Sequence, residues 1–160
     1  MKGLVPTHPS LNRTVGCLTM VRVIAVMPNR SIEIHDSVLA AISLSEGEAQ
    51  LHFSSVYIHQ SEGVPGRDVG SGWVQEAILR IHDASADGAF SKFPVDLRTG
   101  HVRMEENTLD NEIPVPLHYK VAFEMRLQAM WQGQVAVVFR GSGAELELLG
   151  EPEYVEEFRP

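Results

Sequence analysis

The stretch LHYKVAFEMRLQAMW, residues 117–131, decides the fold class, because its apolar side chains recur at every second position. A helix would scatter such a set over all of its faces, whereas a strand places the set on one face. A straight strand of this length would span roughly 50 Å, at about 3.3 Å per residue, so we expect it to bend or bulge. Strands that curl in this way build β-sandwiches and partly closed β-barrels. The alternating apolar positions are Leu117, Tyr119, Val121, Phe123, Met125, Leu127, Ala129 and Trp131.

Alternation of the same kind continues through most of the chain after Pro28. No segment has the periodicity of an amphipathic helix of three turns. We therefore predict an all-β fold, an antiparallel β-sandwich or partly closed β-barrel that is rich in meanders and has about nine or ten strands. We expect residues 31–160 to form the single domain, and residues 1–30 to form an N-terminal extension or an added strand. In residues 73–83 the alternation places on one face Trp73, Gln75, Ala77, Leu79 and Ile81.

Three dipeptides that end in glycine predict tight hairpin turns, namely Glu46-Gly47, Thr99-Gly100 and Gln132-Gly133. Glycine supplies the positive φ that such turns require. The first two turns fix the register of the flanking strands, and in both cases that register brings apolar residues together on one side. The predicted pairs are Leu44 with Ala49, Ile42 with Leu51, Ala40 with Phe53, Leu97 with Val102, and Val95 with Met104.

The length and charge of the chain limit its function. With 160 residues it suits one domain. Acidic residues outnumber basic ones by 21 to 13, the formal net charge is −8, and the cations are scattered singly. Nucleic-acid binding requires clustered cations that neutralise phosphates, so we predict no nucleic-acid partner.

Features near the N-terminus predict a cytoplasmic location. Cys17 is the only cysteine and has no intramolecular disulfide partner, which favours a reducing compartment. The apolar run VGCLTMVRVIAVM, residues 15–27, is shorter than the ~20 residues of a membrane span and contains Arg22, so we predict no membrane association. The run is also poorly placed for a secretory signal. We expect it to form a buried strand or a weakly ordered extension.

The stretch SEGVPGRDVGSG, residues 61–72, interrupts the alternation with four glycines and Pro65. We predict a loop of about twelve residues, a length at which a functional role is favoured. Its polar groups, flanked by aromatic side chains, suit a small polar ligand such as a sugar stacked on a ring. The alternative is a structural crossover between two sheets, held down by Tyr57 and Trp73. The predicted ligand-binding residues are Tyr57, His59, Ser61, Arg67, Asp68 and Trp73.

Histidines and carboxylates raise the question of a metal site. Glu33 and His35 share one face of a strand, and His52 or His59 could complete a set of two histidines and one carboxylate. Such a site must face a cavity, whereas the alternation places His35 and His52 opposite the apolar face. The adjacent residues His35 and Asp36 should point to opposite faces. We therefore predict no catalytic residue, no metal site and no cofactor.

The sequence as a whole favours a non-enzymatic ligand-binding or interaction module with its site near residues 57–73. The alternative function is a hydrolase or metal-assisted enzyme that uses His59, Asp68 and His35. We also predict a homodimer, because exposed strand edges favour association and two-fold dimers are the commonest result. The segments expected to make the dimer contact are residues 38–44, 117–131 and 135–139.

Overall fold

The alternation of the sequence produces eleven strands in the part of the chain that the structure describes. The structure is a computed structural model, and it describes residues 28–133 and 135–160. The apolar run of residues 15–27, Cys17 and most of the expected N-terminal extension lie outside the described residues. Within the described ranges, no helix is long and apolar enough to cross a bilayer. The strands are β1 (Asn29–Ser45), β2 (Glu48–Ser61), β3 (Gly70–His82), β4 (Ser85–Asp87), β5 (Val95–Met104), β6 (Asn107–Asp110), β7 (Glu112–Val115), β8 (His118–Tyr119), β9 (Phe123–Ala129), β10 (Ala136–Gly141) and β11 (Gly143–Phe158).

The strands form one antiparallel sheet that curls into a half-barrel. Along the sheet the order is β4-β10-β9-β5-β1-β2-β3-β11-β8, with β6 added to β5 and β7 added to β1. Consecutive strands pair in the β1-β2-β3 meander and in the β9-β10 hairpin. The prediction of an antiparallel all-β fold is confirmed, with eleven strands where about nine or ten were expected.

The inner face of the curled sheet carries the apolar core. Its residues alternate along each strand and meet their partners across the ladder, as expected when one face of a sheet is buried. Fully burying one such Leu, Ile or Phe side chain contributes about 1.5–3 kcal/mol. Pairs that meet in this core are Ala49 with Ile81, Leu51 with Leu79, and Phe53 with Ala77.

The predicted turn at Glu46-Gly47 is confirmed together with most of its register. Gly47 has a φ of 80°, and the ladder pairs Leu44 with Ala49 and Ile42 with Leu51. Further from the turn, Phe53 pairs with Leu39 and not with Ala40. The reason is a β-bulge in β1 between Leu39 and Ala41, which shifts the register by one residue.

The predicted turn at Thr99-Gly100 is wrong. Both residues lie inside β5, and the chain reverses after Met104, where β6 begins to pair with β5. Gly100 is buried, and a Cβ atom placed on it would lie 2.8 Å from Ile34 Cγ2 and 3.0 Å from Leu127 Cδ2. This glycine therefore serves the close approach of neighbouring side chains, and no turn requires it.

Residues 117–131 bend, as their length predicts. They divide into β8, which pairs with β11, and β9, which lies between β5 and β10. The apolar residues of β9 are all buried on one face, and beyond the end of β9 Trp131 is 84% exposed. The alternation thus predicted correctly which face of β9 is buried. It did not predict that the chain changes its pairing partner between β8 and β9.

We expect Gly100→Asn to lower the free energy of unfolding by at least about 2 kcal/mol, because the side chain would overpack the core and bury an amide. Gly47→Asn should cost about 1 kcal/mol or less, since Asn tolerates positive φ and a Cβ at Gly47 meets nothing within 4 Å. Urea denaturation of the two variants measures the difference. Equal costs would contradict the placement of Gly100 inside β5.

Candidate functional site

The loop between β2 and β3 spans residues 62–69 and is closed by its own hydrogen bonds. Asp68 Oδ2 accepts a bond from the Val64 N–H at 2.6 Å, and the Asp68 N–H donates to the Val64 carbonyl at 2.9 Å. Ser61 Oγ donates to the Val69 carbonyl at 2.8 Å. Because β2 and β3 are antiparallel neighbours, this is a hairpin loop, and the alternative of a crossover between two sheets is wrong. The loop is shorter than the predicted residues 61–72, since both strands extend into that stretch.

His59 anchors this loop to the sheet. Its side chain is fully buried, and its Nδ1 accepts a bond from the Gly66 N–H at 2.5 Å. Its ring lies 4.1 Å, between centroids, from the ring of Phe158. Because Nδ1 is the acceptor, neutral His59 carries its proton on Nε2, which has no partner among the described residues. His59 therefore fixes the loop and has no exposed surface to offer a ligand.

The predicted ligand-binding residues lie on two different sides of the sheet. His59 follows Ile58, which lies in the core, so its side chain points to the outer face, where the loop covers it. Trp73 pairs with Ile58 and packs against the core on the inner face. Its ring meets Tyr154 edge to face at 5.3 Å. The structure thus separates Trp73 from the loop, and a ligand at the loop cannot stack on this ring.

A recess of about 530 Å³ opens on the outer face, between residues 64–67 of the loop and the turn that joins β6 to β7. Of the predicted ligand-binding residues, only Arg67 lines it. Among the described residues, no Phe, Tyr or Trp side chain lines it, so the recess does not suit a sugar stacked on such a ring. Its other polar lining residues are Ser31, Glu33, His35, Asp110, Asn111 and Glu112.

The recess is negatively charged. Glu33, Asp110 and Glu112 bring three carboxylates, against the single guanidinium of Arg67. Ser31 is only 2% exposed, and its Oγ has no hydrogen-bond partner among the described residues. A buried hydroxyl without a partner costs about 1–3 kcal/mol, which a ligand could recover by bonding to it.

Glu33, His35 and Asp36 form a cluster at one side of the recess. His35 Nε2 lies 3.6 Å from Glu33 Oε2 and 3.1 Å from Asp36 Oδ2. The expectation that His35 and Asp36 point to opposite faces is therefore wrong. The register of β1 shifts between Glu33 and Val38, and regular alternation does not hold across such a bulge.

The recess was missed in the sequence because it joins three distant segments. Ser31, Glu33 and His35 come from β1, Arg67 from the loop, and Asn111 from the turn after β6. Asn111 has a φ of 61°, an uncommon value that asparagine tolerates better than most residues. The one local signal in the sequence was the pair Asp110-Asn111 within TLDNEIPV, residues 108–115, because Asp and Asn both favour turns.

The pair His59 and Asp68, expected to act together in the alternative hydrolase, is not joined in the structure. Asp68 closes the loop through Val64, while His59 Nδ1 faces the Gly66 N–H and lies 3.6 Å from Glu33 Oε1. A general base must reach the proton that it removes, and a fully buried histidine does not meet that condition.

Tyr57 lies on the outer face of β2 and donates a hydrogen bond to Glu156 Oε1 at 3.1 Å. Burial, followed by this bond and the nearby carboxylates of Glu156, Glu33 and Asp36, raises the pKa of Tyr57 from 10.0 to about 12. A raised folded-state pKa stabilises the fold below pH 10, and that contribution is lost as the pH rises towards 12.

We expect one of the three tyrosines to ionise near pH 12 in the native protein, and Tyr57→Phe to abolish that step. The loss of stability between pH 10 and pH 12 should also be smaller in Tyr57→Phe than in the parent chain. Tyrosinate absorbance, followed during an alkaline titration, measures the step. Tyr154→Phe serves as the control and should retain it, so a step lost from Tyr154→Phe instead would contradict the assignment.

No protein-family model matches this chain, and no curated protein or solved structure with which it was compared matches it.

Proposed function

We propose that this chain is a ligand-binding module, and that the recess on its outer face takes a small ligand that carries positive charge. The observation that supports this most is the combination of three carboxylates with a buried hydroxyl that lacks a partner, all lining one recess. Ligand sites are concave and use a few polar groups to fix the orientation of what they bind.

The charges of the recess favour a cation over an anion. The three carboxylates repel one another, and that repulsion is only partly offset by Arg67 and by His101, whose Nδ1 bonds to Asp110 Oδ1 at 2.7 Å. A bound cation relieves the remainder. The chain is acidic overall, with a formal net charge of −8, so its long-range field also attracts cations.

The recess is held in shape before a ligand arrives. One wall is the loop, which Asp68 closes and His59 anchors. The opposite wall is the turn at Asn111, whose backbone N–H donates to Gly100 at 2.7 Å and whose carbonyl accepts from Ile34 at 2.9 Å. Walls that are already ordered reduce the entropy lost on binding, which favours a binding role for this site.

The uncharged Val64 and Pro65 complete the loop side of the recess. A ligand that combines an ammonium group with a short apolar portion would contact both kinds of surface. Small organic amines are therefore the class that fits the lining best.

We expect small amines to raise the melting temperature of protein kept in EDTA, and neutral sugars and carboxylic acids to leave it unchanged. Glu112→Gln should weaken amine binding about three- to tenfold, since a hydrogen bond to a charged group contributes about 1.5 kcal/mol or less at such a partly exposed rim. Thermal shift followed by calorimetric titration measures both effects.

Glu106→Gln provides the matched control. It removes the same charge from the exposed turn after β5, outside the recess. Amine binding that falls equally in the two variants would reflect net charge alone and would contradict a site in the recess.

We also propose that two copies of the chain associate through the turn between β9 and β10. Four exposed apolar side chains lie on this turn and on the segment before β5, namely Phe93, Met130, Trp131 and Val135. Gln132 links the two segments, since its Oε1 accepts from the Ser91 N–H and its Nε2 donates to the Lys92 carbonyl. Grouped exposed apolar side chains of this kind are typical of contact surfaces. Residues 38–44 support the dimer less, because Val38 and Leu39 already pair with strands on both sides.

We expect Trp131→Ser to lower the association constant of the dimer at least about tenfold, because a central aromatic residue contributes about 2 kcal/mol to such contacts. The melting temperature of the monomer should stay unchanged, since Trp131 is 84% exposed. Sedimentation over a range of concentrations measures the association, with Val69→Ser as the control, an exposed apolar residue on the other loop. A parent chain that sediments only as a monomer would contradict the proposal.

A further inference from the structure

We propose that Glu33, His35 and Asp36 bind a divalent transition-metal ion at the side of the recess. The inference rests on the proposed function, because the ion would supply the positive charge that the recess attracts. This inference differs from the prediction that the chain has no metal site. That prediction assumed that the outer face, which carries His35, is open to solvent. The loop and the turn at Asn111 instead form two walls of a recess on that face.

The ligand atoms already have the spacing of a coordination sphere. Ligands held about 2.0–2.2 Å from an ion, at tetrahedral or octahedral angles, lie about 2.8–3.6 Å apart. His35 Nε2 lies 3.1 Å from Asp36 Oδ2 and 3.6 Å from Glu33 Oε2. All three ligand atoms lie within 4.8 Å of one another. Only small adjustments of the three side chains would be needed to close them on one ion, and two of them, His35 and Asp36, are exposed.

Asn111 holds the imidazole of His35 in the orientation that a metal requires. The side chain of Asn111 bonds to His35 Nδ1 and leaves Nε2 facing the two carboxylates. Asn111 Oδ1 is buried and has no partner among the described residues. A half-turn of the amide brings Oδ1 to the His35 Nδ1–H, which places the proton on Nδ1 and frees the Nε2 lone pair. Histidines that bind metals donate their other ring N–H in this way.

Ser31 gives an independent indication that the recess takes a bound group. Ser31 and Glu33 are two residues apart in β1 and therefore lie on one face of the strand. The Ser31 hydroxyl is buried, lines the same recess and has no partner within the described ranges. A water on a metal ion, or a donor group of an organic ligand, could bond to it. The carboxylates and histidine of the cluster do not account for this hydroxyl.

The donor set favours a borderline ion over calcium or magnesium. One imidazole nitrogen and two carboxylates suit Zn²⁺, Mn²⁺, Fe²⁺ or Co²⁺, whereas Ca²⁺ and Mg²⁺ prefer oxygen ligands throughout. Three protein ligands also leave at least one coordination position free, as in zinc sites that bind a further ligand. That position would be filled by water or by a donor from a molecule in the recess.

The test is metal binding by the full chain after treatment with EDTA. We expect one equivalent of Zn²⁺ to bind in calorimetric titration and to raise the melting temperature. Co²⁺ should bind at the same place and give visible absorption bands that change when an imidazole ligand is lost. His35→Ala and Asp36→Asn should each lower the affinity for Zn²⁺ at least about tenfold, and Ca²⁺ should not compete.

His52→Ala is the matched control and should bind Zn²⁺ like the parent chain. His52 is also on the outer face, is 42% exposed against 41% for His35, and faces a carboxylate, Glu76, at 2.6 Å. Because His35 is exposed, its removal should leave the EDTA-treated protein folded, which its melting temperature checks.

Three results would overturn the proposal: no Zn²⁺ binding, unchanged Zn²⁺ affinity in His35→Ala, or equal binding of Ca²⁺ and Zn²⁺. If amines stabilise the EDTA-treated protein and metal ions do not bind, the proposed binding function stands and only the metal site is wrong. If neither metals nor amines bind, both the metal site and the binding function are wrong.

Discussion

β1 changes its neighbour halfway along its length, and both the core and the recess depend on this change. Its first part pairs with β7 and its second part with β5, while β2 runs along its other side throughout. Between the segment that pairs with β7 and the segment that pairs with β5, the register of β1 against β2 shifts, and residues 34–37 form a bulge. Asn111 links β1 to β5 beside this bulge, because its backbone bonds to both Ile34 and Gly100. The same bulge packs Ile34 over Gly100 and frees His35 from strict alternation.

The two faces of the sheet are covered by different means. The inner face is covered by the curl of the sheet itself, which buries an apolar core such as that around Phe53. Near the end of β2 the outer face is covered by the loop of residues 62–69, whose polar groups lie over that face. His59 is buried there through a backbone hydrogen bond and a ring contact with Phe158. A buried polar side chain must be bonded to be tolerated, so the loop and His59 stabilise each other.

The sequence predicts what is local and misses what distant segments build together. Alternation predicts the strands and the inward face of Trp73, and the turn at Glu46-Gly47 predicts the nearest pairs, because both depend only on neighbouring residues. Gly100 was misjudged because a turn glycine and a glycine of close approach look the same in a sequence. The recess was missed because Asn111 reaches His35 across 76 positions of the chain. The loop was recognised as unusual, yet the side of the sheet that it covers depends on the closed fold.

Glu33 connects the buried and the exposed parts of the outer face. Its Oε1 lies 3.6 Å from His59 Nδ1, and its Oε2 lies 3.6 Å from His35 Nε2. His59 Nδ1 is also the acceptor that holds the Gly66 N–H, and therefore the loop. Glu33 Oε1 cannot accept a bond from Nδ1, which carries no proton, so the Gly66 N–H is the hydrogen-bond partner of His59 at this atom. Glu33 thus lies between the histidine that holds the loop and the cluster at the side of the recess, so the loop and the strand beneath it meet at one carboxylate.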